Sequence, residues 1–152
     1  MADPVKLTCL ACGQGNRLPA ARLGEAPRCG VCGASLAPGK PADIDLATLE
    51  RAIRADGLPL MVDFWAPWCG PCRAMTPEFA RAAQGLAPAV RAARLDTEAH
   101  PGAGARFGIR GIPLVILFAG GRERARFAGL RPAAGIADFV RQSLATQPRG
   151  AA

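Results

Sequence analysis

Tyrosine is absent from this chain of 152 residues, tryptophan and lysine occur twice each, and there is a single histidine. That histidine, His100, stands in a polar stretch before Pro101 with no partner motif, so it reads as a surface residue and imidazole catalysis has no support. No apolar run approaches the ~20 residues of a membrane-spanning helix. Residues 1–8 lack the apolar core of a secretory signal, which points to a cytoplasmic protein with no membrane association. The formal charge of +7 invites a nucleic-acid reading, but 17 Arg and 2 Lys are scattered along the whole chain. Between residues 9 and 32 only Arg17, Arg22 and Arg28 are basic, and no aromatic residue is there to stack a base. Nucleic acid is not an expected partner.

What the chain does have is six cysteines, arranged as three Cys-x-x-Cys pairs. The third pair lies in Trp68-Cys69-Gly70-Pro71-Cys72. Ahead of it, residues 60–65 form a nearly unbroken apolar run, the pattern of a strand buried on both faces. Behind it, Met75, Phe79, Ala82, Ala83 and Leu86 recur at spacings of three and four, one face of an amphipathic helix. The cysteines therefore open a helix that leaves a buried strand. Unpaired backbone N–H groups and the helix dipole stabilise a thiolate there, which makes Cys69 the attacking sulfur. Cys72, one turn on, is within disulfide reach and is the resolving sulfur. Gly70 permits a tight turn, and Pro71 gives up an N–H that the first turn leaves unpaired anyway. No histidine lies between the cysteines to make the disulfide more oxidising, so the pair leans toward donating electrons. Asp63, in the middle of the apolar strand, is expected to be buried with a raised pKa and to accept the Cys72 proton through a water; a structural carboxylate satisfied by backbone donors is the alternative.

Cys9, Cys12, Cys29 and Cys32 make the pattern C-x2-C-x16-C-x2-C, within the range of a zinc ribbon. Gly13 and Gly33 each follow the second cysteine of a pair, and a glycine there lets the turn curl so that N–H groups point at the thiolates. Four thiolates would hold one structural Zn2+ tetrahedrally with no open position; an iron site of the rubredoxin kind has similar ligands. Two disulfides would suit a secreted protein instead. Some thirty residues cannot bury enough apolar surface to fold unaided, so the metal must supply much of the folding free energy.

Periodicity and turn residues give a short strand near Ile44, helices over 46–55 and 69–86, and strands over 60–65 and 90–95. A short helix over 102–107, a hairpin of strands 114–118 and 124–128 around Gly120-Gly121, and a helix over 133–144 follow. The division expected is a zinc ribbon over 1–36, a linker over 37–41, an α/β domain over 42–146 and a flexible tail over 147–152.

The run Val62-Asp63-Phe64-Trp65-Ala66-Pro67-Trp68-Cys69-Gly70-Pro71-Cys72-Arg73 resembles the active-site segment of the thioredoxin family. Pro77 falls where that family kinks this helix, Phe107-Gly108-Ile109-Arg110-Gly111-Ile112-Pro113 resembles its cis-proline loop, and Gly120-Gly121 and Gly129 follow in family order over roughly residues 42–146. With the ribbon in front, the chain is similar to the bacterial type of thioredoxin that carries an N-terminal zinc ribbon. The resemblance implies an α/β thioredoxin fold, a mixed central sheet with helices on both faces. It also implies a protein-disulfide reductase in which Cys69, Cys72 and Asp63 are catalytic, while Trp68, Gly70, Pro71, Gly111, Ile112, Pro113 and Gly129 bind substrate. Electrons would come from NADPH through thioredoxin reductase, with no tightly bound organic cofactor. Implied substrates are disulfide-bearing proteins such as ribonucleotide reductase, peroxiredoxin and methionine sulfoxide reductase, and the chain would be a monomer. Two positions depart from the family: Leu114 stands where Thr usually follows the proline, and Arg94 stands where a Lys often accompanies the buried Asp. The rival class is a redox sensor or redox-gated holdase, in which oxidation of the ribbon expels zinc and exposes apolar surface.

Overall fold

A computed structural model describes residues 4–146; the expected tail over 147–152 lies outside them. Two strands, β1 (Pro4–Thr8) and β2 (Gly15–Pro19), form an antiparallel hairpin that carries the first cysteine pair in its turn. A short 3-10 helix over Ala20–Glu25 leads to the second pair. The hairpin was not expected from sequence: Val5-Lys6-Leu7-Thr8 does alternate, but four residues are a weak strand signal and its partner Gly15–Pro19 begins with Gly and ends with Pro.

The main sheet has five strands in the order β3-β5-β4-β6-β7. They are β3 (Ala42–Asp43), β4 (Leu60–Trp65), β5 (Arg91–Asp96), β6 (Leu114–Ala119) and β7 (Arg122–Ala128). β4 is central, parallel to β5 on one side and antiparallel to β6 on the other. Its alternate residues therefore serve two cores. Leu60, Val62 and Phe64 pack under α1 (Leu46–Ala55) and α3 (Gly102–Phe107). Met61 packs on the other face with Met75 and Phe79 of α2 (Gly70–Leu86) and Ile136 and Val140 of α4 (Ala133–Ala145). This is a mixed sheet with helices on both faces.

The elements differ from the sequence reading mainly at their ends. α2 starts at Gly70, with Cys69 as its N-cap, and contains Pro77. β7 begins two residues earlier than expected because Gly120 and Gly121, at φ 65° and 85°, close a two-residue turn that leaves Arg122 paired with Ala119. β3 has two residues and stops before Ile44, whose N–H still bonds the Arg94 carbonyl at 3.0 Å.

The ribbon is packed on the domain, not tethered to it. Leu10 inserts among the α1-side core residues, and Leu58 packs on the ribbon core of Leu7, Leu18 and Leu36. Arg91, 1% exposed, is the bolt. Its Nη1 donates to the carbonyls of Thr8 and Leu36 at 2.9 and 3.0 Å, and its Nη2 pairs with Asp56, whose Oδ1 accepts from the Thr8 N–H at 2.7 Å. Gly57 donates to the Lys6 carbonyl at 2.8 Å. The contacts of Arg91, Asp56 and Gly57 lie where β4 and β5 begin, and Arg51 of α1 adds a donor to the Gly13 carbonyl at 3.4 Å. The dithiol follows the other end of β4, roughly 17 Å of strand away.

Candidate functional site

Three loops meet at the C-terminal end of β4. The first carries Cys69 and Cys72, bonded to each other with Cα atoms 5.2 Å apart, Cys69 5% exposed and Cys72 fully buried. Cys69 caps α2: its Sγ accepts from the Cys72 backbone N–H at 3.2 Å, the type of donor that stabilises a thiolate. Gly70 and Pro71 fill the first helical positions and are exposed. Arg73 reaches back to the Pro67 carbonyl at 3.2 Å and fastens the loop to the helix. The second loop is 111–113, in which the Ile112–Pro113 bond is cis and the Ile112 carbonyl lies 3.9 Å from the Cys69 sulfur. The third is held to it by the Gly129 N–H, which donates to the Pro113 carbonyl at 2.9 Å. Gly129 sits at φ 94°, a conformation that side-chain-bearing residues rarely adopt.

Trp68 is 68% and Leu130 52% exposed, two of the three large apolar side chains on the described surface, and both rim this junction. Gly111 is exposed and Ile112 half-buried between them, whereas Pro113 is buried. Leu114, after the cis proline, turns into the α1-side core.

Asp63 is fully buried in β4 and, by strand alternation with Met61, on the face toward α2. Burial raises its pKa from 3.8 to about 6, against the Arg94 guanidinium, which lowers it. Oδ2 accepts from Arg94 Nε at 3.4 Å, while the buried Oδ1 has no hydrogen-bond partner among the described residues. No backbone donor among the described residues reaches this carboxyl; its partner is the Arg94 side chain. A buried carboxyl with a free oxygen and a pKa of about 6, largely ionised at neutral pH, is able to take and return a proton. Arg94 itself stays charged, stacks over Trp65 with its guanidinium 4.2 Å from the ring centre, and donates to Thr76 Oγ1 at 3.0 Å.

Both models of the family kind match this chain. The one described as "Thioredoxin" covers residues 41–142, and the one described as "Thioredoxin 2, N-terminal", a zinc ribbon, covers residues 8–34. The chain belongs to the thioredoxin family. It is 36% identical to Thioredoxin C-3 of Corynebacterium nephridii over 141 residues, 93% of this chain and 97% of that protein. It is 43% identical to the thioredoxin of Alicyclobacillus acidocaldarius over 57% of this chain and 81% of that one. A solved structure of chloroplastic thioredoxin z matches at TM-score 0.64 and 32% identity, covering 70% of this chain and 96% of that chain. Thioredoxins are thiol-disulfide oxidoreductases, and this chain is an enzyme of that class.

At the ribbon pole the Sγ atoms of Cys9, Cys12, Cys29 and Cys32 all lie within 4.8 Å of one another. Thiolates at ~2.3 Å around a tetrahedral ion stand about 3.8 Å apart. The Cys9–Cys32 and Cys12–Cys29 sulfurs are 3.6 and 3.7 Å apart, so the set fits such an ion. Cys9 and Cys29 are buried; Cys12 and Cys32 are exposed. The backbone N–H groups of Cys32 and Val31 lower the Cys29 thiol to about 6, while, against the lowering by the Gln14 backbone, burial and the three neighbouring sulfurs push Cys12 up to about 12. Gly13 and Gly33, at φ 83° and 78°, close the two turns by donating to the carbonyls of Cys9 and Cys29 at 2.7 and 3.0 Å. In the second turn a backbone N–H then points at sulfur as expected, Val31 donating to Cys29 Sγ at 3.4 Å.

Two functional features escaped sequence reasoning. The Asp56–Arg91 bolt joins residues 35 apart and nothing local marks it. The bridge from Arg94 to Thr76 crosses from β5 to α2 and becomes visible only when sheet and helix pack. No described helix is long and apolar enough to cross a membrane.

Proposed function

We propose that this thioredoxin is a cytoplasmic, monomeric protein-disulfide reductase whose electrons come from NADPH through thioredoxin reductase. The observation that carries the reading is the asymmetry of the dithiol, one sulfur capping a helix at a surface junction and the other fully buried one turn inside. The reduced Cys69 thiolate attacks a substrate disulfide, forms the mixed disulfide and releases one substrate thiolate, which is protonated by solvent. Cys72 then loses its proton to Asp63 and attacks the Cys69 sulfur; the Cys69–substrate bond breaks and the second substrate thiolate leaves. Two electrons have passed to the substrate, and the Cys69–Cys72 disulfide awaits reduction.

Trp68, Gly70, Pro71, Gly111, Ile112, Pro113 and Gly129 form the surface on which an extended substrate segment lies, with the Ile112 backbone open to pair with it. Substrates are disulfide-bearing proteins; ribonucleotide reductase, peroxiredoxin and methionine sulfoxide reductase are the classes that family resemblance suggests. The four ribbon cysteines hold Zn2+, which when bound supplies structural cross-linking and no reaction step.

Insulin reduction coupled to NADPH and thioredoxin reductase tests the proposal. Cys69→Ser abolishes turnover, and Cys72→Ser accumulates mixed disulfides with substrate. Full activity of Cys69→Ser overturns it.

A further inference from the structure

We propose that Thr76 is a positioning residue that aims the Arg94 guanidinium inward at Asp63 and so sets the proton acceptor of the resolving step. The inference rests on the reductase reading above. Arg94 has carboxylates on both sides. Inward is Asp63, 3.4 Å from Nε; outward, Asp43 of β3 lies 3.9 Å from Nη1, and Asp45, Asp96 and His100 line the open pocket beyond it. Among the described residues Arg94 is the charged group that acts on Asp63, and the uncharged Val115 stands opposite it on β6.

Three outer carboxylates, with solvent beside them, would draw the guanidinium away from one buried carboxyl. Two contacts oppose this. The Trp65 ring supports its flat face at 4.2 Å, and Thr76 Oγ1 accepts from Nη2 at 3.0 Å. The Trp65 ring restrains the plane of the guanidinium but does not choose its direction, whereas the hydroxyl sits on the α2 side and fixes which edge turns inward. The same hydroxyl donates to the Cys72 carbonyl at 3.2 Å, so its single proton is committed and its lone pairs are left for Arg94. Asp63, Arg94, Thr76 and the Cys72 backbone thus form one connected chain under the dithiol. A threonine returning a hydrogen bond to the i−4 carbonyl is a common helical habit without function. That habit predicts a change in stability when the hydroxyl is removed, and no change at Asp63.

The test is a carboxyl-carbon NMR titration of Asp63 in the oxidised full chain, where neither active-site thiol titrates. Thr76→Val, which keeps the shape and removes the hydroxyl, raises the Asp63 midpoint by about 0.5–1 unit, part of the 1–3 units that a close opposite charge is worth. Thr76→Ser keeps the native midpoint to within about 0.2 unit. Arg94→Gln marks the full effect of the charge. In the insulin assay the acidic limb of kcat/KM moves upward by the same amount in Thr76→Val. Should that variant not fold, Thr76→Ala makes the same deletion without the branched side chain. A native midpoint in Thr76→Val or Thr76→Ala while Arg94→Gln is shifted overturns the proposal, as does an unshifted Arg94→Gln. Because the titration needs no turnover, it separates this proposal from the reductase reading: a chain inert toward insulin can still show the shift.

Discussion

Replacing Asp63 by Asn should make this protein more stable and slower at the same time. The carboxyl is fully buried and its pKa in the fold is about 6, against 3.8 for the free group. Between those two values the folded state holds a proton that the unfolded chain has lost, so stability falls as pH rises through that window and stays low above it. A gap of about two units at 1.36 kcal/mol each makes ionised Asp63 cost about 3 kcal/mol above pH 7. Asn imitates the protonated carboxyl in shape and charge. Since the protonated state already leaves Arg94 facing an uncharged neighbour, no separate cost for the lost ion pair is added. The gain expected for Asp63→Asn is therefore about 3 kcal/mol at pH 8, shrinking toward zero below about pH 4. Urea unfolding of the oxidised protein at both pH values measures it, with no thiol titration to interfere. A variant no more stable than the native chain at pH 8, or equally stabilised at pH 8 and pH 4, refutes the reasoning. The same variant should lose insulin reduction at neutral pH through the resolving step, with mixed disulfide accumulating.

Arg91→Ala removes one partner of a buried ion pair and frees the carbonyls of Thr8 and Leu36; a loss of about 3–5 kcal/mol is expected, with faster amide exchange at Gly57 as the ribbon detaches. Atomic absorption should find one Zn2+ per chain, lost when Cys29→Ser breaks the ligand set. Chelation should unfold the ribbon yet leave insulin reduction within about twofold, because the ribbon is held by Asp56, Gly57, Arg91 and Arg51, none of which is among the dithiol's contacts. Zinc should remain bound at peroxide levels that oxidise Cys69, and its release under those conditions would favour the sensor reading instead.

Much of the domain is legible in the sequence because its signals are local. The apolar run of β4, the period of α2, the Gly120-Gly121 turn and Pro71 at a helix start each depend on neighbours within a few residues, and the elements fall where those signals end. The Cys-x-x-Cys pairs are equally local, since a spacing of three places two sulfurs within reach on a single turn. Asp63 could be read as buried from its apolar neighbours alone.

The partners of Asp63 could not be read that way. Arg94 reaches it from a parallel strand 31 residues away and Thr76 reaches Arg94 from α2, so their meeting depends on the register Asp63↔Arg94 and on how α2 crosses the sheet. The cysteine spacing likewise announced a ribbon but not its location. That was decided by a buried cation at the start of β5 gathering carbonyls from residues 8 and 36 and a carboxylate from residue 56. The sequence by itself thus determined the dithiol pair and the ribbon's cysteine set, because a helix-opening Cys-x-x-Cys and the two Cys-x-x-Cys turns of a ribbon are each encoded within a few residues. Only the tertiary structure decided the electrostatic surroundings of Asp63 and where the ribbon is seated on the domain, because both depend on groups brought together by folding.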